Sequence, residues 1–155
     1  MSDFINPVIK EAEISDLREI LELQYLAYQS EARLFNDPDI PPLKQTLSDI
    51  ESEFRKGVIL KAVNENNVII GSVRGHCDNK TLYIGKLMVH PYRQRQGIGT
   101  RLLLDIEKRF PKHRYELFTS TRSEKNIALY KRLGYSIFDE KRVTEELSFV
   151  YLEKN

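Results

Sequence analysis

The sequence predicts an α/β fold, a mixed sheet with helices on both faces, and two observations lead to it. After Gly57, three β-rich apolar runs follow one another with only short polar turns between them, which implies an antiparallel meander. The rest of the chain interleaves strand-like runs with stretches whose apolar residues recur at helical spacing. The resulting order, β-α-α-β-β-β-α-β-α-β-β, is that of a sheet layered with helices.

Each element has its own warrant. "PVIKEA" (Pro7 to Ala12) reads as a first strand, and Ser15 is the expected N-cap of a helix with Leu17, Ile20, Leu21, Leu23 and Leu26 on its apolar stripe. "NDPDIPP" (Asn36 to Pro42) is expected to be non-helical because of its prolines. A second helix is expected from Thr46 or Ser48 to Lys56, with Gly57 as its C-cap. "VILKAV" (Val58 to Val63), "VIIGSVRGHC" (Val68 to Cys77) and "TLYIGKLMV" (Thr81 to Val89) form the meander. The next helix spans Gly97 to Phe110, with Ile98, Leu102, Leu103, Ile106 and Phe110 on one side. "YELFTS" (Tyr115 to Ser120) is a strand, "SEKNIALYKRLGY" a helix closed by Gly134, and "YSIFDEKRV" and "ELSFVYLEK" are two final strands.

Composition narrows the function classes. The 155 residues suit one domain, and 24 Lys and Arg against 23 Asp and Glu leave a net charge of +1, with no global pull toward nucleic acid or membrane. One cysteine, Cys77, rules out an internal disulfide and a Cys-rich metal site, and His90 and His113 lack partners at ligand spacing, so no metal is expected. "MSDFINPVIK" lacks a signal-peptide apolar run, and no segment approaches the roughly 20 apolar residues of a membrane span. A cytoplasmic address is expected. The basic run "KRFPKHR" is read as a solvated helix end that complements the helix dipole.

The densest signal is "RQRQGIGT". Gly97 and Gly99 remove Cβ atoms where a loop becomes a helix, so a ligand can approach main chain closely. First-turn amides lack intrahelical partners and carry the positive end of the dipole, which makes an anion site. Arg93, Arg95 and Arg101 add charge. A P-loop is absent, and the dinucleotide fingerprint fails because Leu102 stands where its third glycine would be. Taken alone, the glycines are equally well an ordinary helix start.

"LMVHPYRQRQGIGTRLL" resembles the main acyl-CoA-binding motif of the GCN5-related N-acetyltransferase (GNAT) family, with its [QR]-x-x-G-x-[GA] step on Gln94, Arg95, Gln96, Gly97, Ile98 and Gly99. "NIALYKRLGY" (Asn126 to Tyr135) resembles a second motif of that family, at the right separation. The resemblance covers Val58 to Tyr135 closely. It implies two neighbouring parallel strands, Thr81–Val89 and Tyr115–Ser120, splayed at one end. Acetyl-CoA would lie in that V, its pantetheine along Leu87, Met88 and Val89 and its diphosphate on the turn from Gln94 or Arg95 to Thr100.

The resemblance also assigns chemistry: Asn126 contacts the cofactor, a main-chain amide near Met88 or Val89 polarises the thioester, and Tyr130 is the general acid. By spacing alone Tyr130 is one apolar contact of the stripe Ile127, Tyr130, Leu133. The chain departs from the family where some members carry a glutamate base on the strand before the glycine turn, since Gly85 and Lys86 lie there. His76, Tyr83 and a water-linked Glu31 are candidates for the base, none of which the sequence selects, and Tyr25, Tyr28 and Phe35 line an acceptor pocket or belong to the core. The expected activity is acetyl transfer from acetyl-CoA to a primary amine on a small molecule or peptide, with no nucleic-acid or membrane partner. The alternatives are a non-catalytic acyl-CoA-binding module and a nucleotide-binding protein of another class. Homodimers are common in the family, and "ELSFVYLEK" offers an edge for one.

Overall fold

The computed structural model describes residues 6–155, so the first five residues of the N-terminal decapeptide read above lie outside the described residues. Seven strands form one mixed sheet in the order β1-β2-β3-β4-β5-β7-β6. They are β1 (Val8–Glu11), β2 (Val58–Val63), β3 (Ile69–Asp78), β4 (Thr81–Val89), β5 (Arg114–Ser120), β6 (Ser136–Arg142) and β7 (Ser148–Lys154). β2, β3 and β4 are the expected meander, and β4 with β5 is the single parallel pair among the described residues. The last strand takes a place the sequence did not suggest. β7 folds back from β6 and inserts between it and β5, so "ELSFVYLEK" is interior and offers no edge. The edge there is β6, exposed along its whole length and carrying Asp139, Glu140, Lys141 and Arg142, charges that discourage strand addition.

Six α-helices flank the sheet: α1 (Leu17–Ala27), α2 (Gln29–Phe35), α3 (Pro41–Lys44), α4 (Leu47–Lys56), α5 (Ile98–Arg109) and α6 (Glu124–Arg132). Two local expectations are corrected. Ser15 does not cap α1; a 3-10 turn over Ile14–Asp16 precedes the helix, and the Asp16 carboxylate accepts the Glu13 N–H at 2.7 Å. Residues 29–35, to which the sequence assigned no element, are helical. Pro41 and Pro42 open α3, since proline lacks only N–H groups that a first turn leaves unpaired anyway. The start of α4 is as expected, with Thr46 and Asp49 in a reciprocal capping box.

Two cores result, one on each face. Ile98, Leu102, Leu103 and Ile106 of α5 and Tyr130 of α6 pack on Leu60, Ala62, Val73, Leu82 and Ile84. Leu17, Ile20 and Leu23 of α1 and Ile50 of α4 pack on Ile59, Val63, Ile69 and Met88. β2 alternates cleanly between the two. β4 does not: Leu82 and Ile84 face the first core, whereas Met88, also even-numbered, faces the second. The cause is a bulge. Between the pairs Arg74↔Gly85 and Ser72↔Met88 β4 has one residue too many, and Lys86 takes a left-handed φ of 51°. This single irregularity turns Leu87 and Val89 toward the α5 side of the sheet.

One buried ionic cluster ties the helical layer to the far strands. The Glu107 carboxylate accepts from the Tyr135 hydroxyl at 2.7 Å and from Lys154 Nζ at 2.8 Å. Glu107→Ala orphans both donors, and a cost of about 2 kcal/mol is expected, measured as a lower urea midpoint with unchanged slope.

Candidate functional site

β4 and β5 pair only through Thr81↔Arg114, Leu82↔Tyr115 and Tyr83↔Glu116. Beyond Glu116, β5 continues in register with β7, while β4 continues with β3. The two strands therefore part, and the β5-facing side of β4 past the bulge has no strand partner. Main-chain groups left unpaired in this way seek another donor or acceptor.

A cleft of about 790 Å³ occupies the opening. Leu87, Met88 and Val89 line it from β4, Gln94, Arg95, Gly97, Ile98, Gly99 and Thr100 from the glycine turn, and Asn126 from α6. The turn has a special backbone: Arg95 and Gly97 are both left-handed, at φ 66° and 79°, and alternation of this kind converges successive N–H groups into an anion-binding nest. Gly97 is the N-cap of α5, and a Cβ built there would meet nothing within 4 Å. That empty shell lies in the cleft mouth. Five cationic side chains, Arg93, Arg95, Arg122, Lys125 and Arg132, face two carboxylates, Glu31 and Glu124. The buried Ser123 Oγ, on the same wall, has no hydrogen-bond partner among the described residues. Unpaired amides, an orphaned hydroxyl and surplus positive charge suit a ligand with an elongated polar arm and a diphosphate.

Three expected residues fall elsewhere. Gln96 and Arg101 do not line the cleft. Nor does Tyr130, which is 7% exposed and sits in the core with its ring centroid 6.1 Å from that of Tyr135. Its hydroxyl makes no hydrogen bond among the described residues. Burial, and then the negative charge of Glu31, push its pKa well above the usual phenol value. Tyr130 is thus a core contact whose hydroxyl is firmly protonated and unengaged among the described residues. Tyr28 lines the cleft and packs on the second core, the Tyr25 hydroxyl donates to the Gln45 carbonyl, and Phe35 lines neither cleft. The Glu31 carboxyl is held above the usual carboxylate range by burial, partly offset by Lys86.

A second cleft of about 680 Å³ is lined by Lys86, whereas its chain neighbour Leu87 lines the first. His76 and Tyr83 stack on its wall with centroids 5.3 Å apart. Behind them lies a polar network that sequence reasoning did not find. Arg74, 5% exposed, donates from Nη1 to Gln45 Oε1 at 2.9 Å and Glu53 Oε2 at 2.8 Å, and from Nη2 to Gln24 Oε1. Arg122 and Lys125 were also missed, although a signal existed: cations at the start of a helix oppose its dipole and call for an anion. Among the described residues no group of three or more His, Cys, Asp or Glu is placed to hold a metal ion, and no helix is long and apolar enough to cross a membrane.

Comparison with known proteins adds three findings. Residues 15–135 match the profile of the Acetyltransferase (GNAT) family. The chain is 30% identical over 127 residues to the UPF0157 protein YqkA of Bacillus subtilis, covering 81% of this chain and 36% of that protein, so it spans about a third of that relative. Among solved structures it resembles the PaiA N-acetyltransferase of Thermoplasma acidophilum in complex with coenzyme A, at TM-score 0.81 and 16% identity over 97% of this chain and 99% of that one. It resembles the ribosomal-protein-S18-alanine N-acetyltransferase of Escherichia coli at TM-score 0.79 and 16% identity, over 95% and 92%. At such identity the likeness is one of fold.

Proposed function

Because the chain belongs to the Acetyltransferase (GNAT) family, we propose that it transfers the acetyl group of acetyl-CoA directly to a primary amine. The observation that carries this reading is the parting of β4 from β5, with the glycine nest at the head of the opening. The first-turn amides of α5 and the flanking arginines receive the diphosphate, the unpaired edge of Leu87 to Val89 receives the pantetheine amides, and Asn126 and Ser123 hold the opposite wall.

The acetyl group then lies near the bulge, between the two clefts. A neutral amine enters from the second cleft and its nitrogen forms a bond to the carbonyl carbon as the carbon–sulfur bond breaks. Tyr130 gives its proton to the departing sulfur, and the proton lost by the amine passes to water. The Tyr130 hydroxyl is suited to this because burial keeps it protonated at every pH the enzyme meets.

The first test is thermal. Acetyl-CoA at about 100 times its Kd adds about 2.7 kcal/mol, a rise of about 5–10 °C for a chain of this size, and ATP or NAD at the same concentration is expected to add far less. Equal shifts with all three would overturn the assignment. A second reading, an acyl-CoA-binding module without turnover, is favoured by Lys86 standing on the strand where a carboxylate base would be. Release of CoA thiol in the presence of amines separates the two, since a module binds and does not turn over.

A further inference from the structure

We infer that the acceptor is a small amino compound that also carries an anionic group, a carboxylate or a phosphonate, and that Lys86 receives this group in the second cleft. The inference rests on the acetyl-transfer reading above and adds the chemical class of its acceptor.

The argument is one of charge pairing. Two of the carboxylates lining the second cleft are already engaged: Glu53 accepts from Arg74 Nη1 at 2.8 Å and Glu116 from Arg114 Nη1 at 2.8 Å. Asp78 is exposed, at the turn that ends β3. Lys86 has neither an ion pair nor a hydrogen bond among the described residues, although it is only half exposed and lines the cleft. Its surroundings under-solvate the ammonium: burial pulls its pKa down, Arg74 adds to that, and Glu53 and Glu31 offset part of it. Just behind, Arg74 engages both terminal nitrogens while its Nε is buried without a partner. Glu31, the other carboxylate that acts on Lys86, makes no ion pair with it and is itself held above the usual carboxylate range by burial. A half-buried ammonium next to an incompletely satisfied guanidinium therefore has room for a further anion.

Lys86 is one residue from Leu87, the start of the unpaired edge along which the thioester arm is proposed to lie, and it lines the cleft from which the amine is proposed to enter. A compact acceptor with its amine and anion a few bonds apart, such as an α- or β-amino acid, suits that neighbourhood. A polyamine would instead bring a second cation against Lys86. The rest of the cleft wall, His76, Tyr83, Phe118 and Tyr151, offers aromatic surface for the body of the acceptor. In the reaction the amine nitrogen gains the acetyl carbon and loses a proton, sulfur gains one, and the anionic group is unchanged.

The test compares matched amines by CoA-thiol release: amino acids against their amides, aminoalkyl phosphonates, and polyamines. Expected is at least a tenfold higher kcat/KM for anion-bearing acceptors, with carboxylate against phosphonate telling the two sources apart. In Lys86→Met this preference is expected to collapse through a rise in acceptor KM, and Lys86→Arg is expected to restore most of it. Acetylation of neutral or polycationic amines in preference to anion-bearing ones overturns the inference and leaves the acetyltransferase reading standing, whereas an acetyl-CoA thermal shift with no thiol release from any amine overturns both and leaves the binding module. Loss of the acetyl-CoA shift in the wild-type protein would overturn that reading instead.

Discussion

Gly97→Glu is expected to abolish the acetyl-CoA-dependent rise in melting temperature while leaving a folded protein. Two effects act at this position, and their sizes differ. The left-handed φ of 79° costs a side-chain-bearing residue about 1–2 kcal/mol, which a chain of this size tolerates. Sterically the substitution meets nothing, since the Cβ shell is empty to 4 Å. The larger effect falls on the ligand. The new carboxylate projects into the cleft mouth, where the nest and the arginines converge, and competes with the diphosphate for the same donors. A loss of affinity of about 100-fold or more is expected, which leaves about 0.4 kcal/mol or less of the roughly 2.7 kcal/mol that the ligand supplies to the wild type. Gly97→Asn provides the control, because asparagine tolerates the left-handed region and adds no charge. It is expected to retain most of the shift. If Gly97→Glu binds acetyl-CoA as well as wild type does, the nest is not the phosphate site.

Much of this site was legible in the sequence, and the parts that were not share a cause. The glycine turn, the α5 stripe and the Asn126 to Tyr135 segment are short-range patterns, written in neighbouring residues. The strand meander was legible for the same reason. By contrast, the insertion of β7 between β5 and β6 depends on which edges are left open after the rest has assembled, and alternation within "SFVYLEK" says nothing about that. The bulge at Lys86 is hidden in a run, "TLYIGKLMV", that reads as uninterrupted strand, because a lysine at φ 51° has no signature of the kind a glycine would give. Likewise, the Arg74 network joins Gln24, Gln45 and Glu53, residues 21 to 50 positions away that become neighbours only when α1 and α4 pack on β3. The polar surroundings of Lys86 and Arg74 are thus a tertiary property. Their ingredients look like ordinary surface charge until they are brought together.

Tyr130→Phe is the substitution that separates the two readings of that residue. If Tyr130 were a core contact only, removing its oxygen would cost no turnover, and the phenyl ring would keep its packing beside Tyr135. Because the hydroxyl makes no hydrogen bond among the described residues, its removal orphans no partner there, and the melting temperature is expected to be no lower than wild type. As a general acid, however, the hydroxyl contributes about 10²-fold or more to the rate, and kcat is expected to fall by that factor with acetyl-CoA affinity retained. The pH profile adds an independent check. A phenol whose pKa is raised keeps its proton below that elevated value and loses it only above, so the wild-type rate should climb as the acceptor amine deprotonates and show no alkaline decline up to about pH 10. The same climb in Tyr130→Phe, at a rate a hundredfold lower, fits the acid role. An unchanged kcat would return Tyr130 to the core and move the proton to sulfur by another route, with water admitted through the open second cleft as the donor to test next.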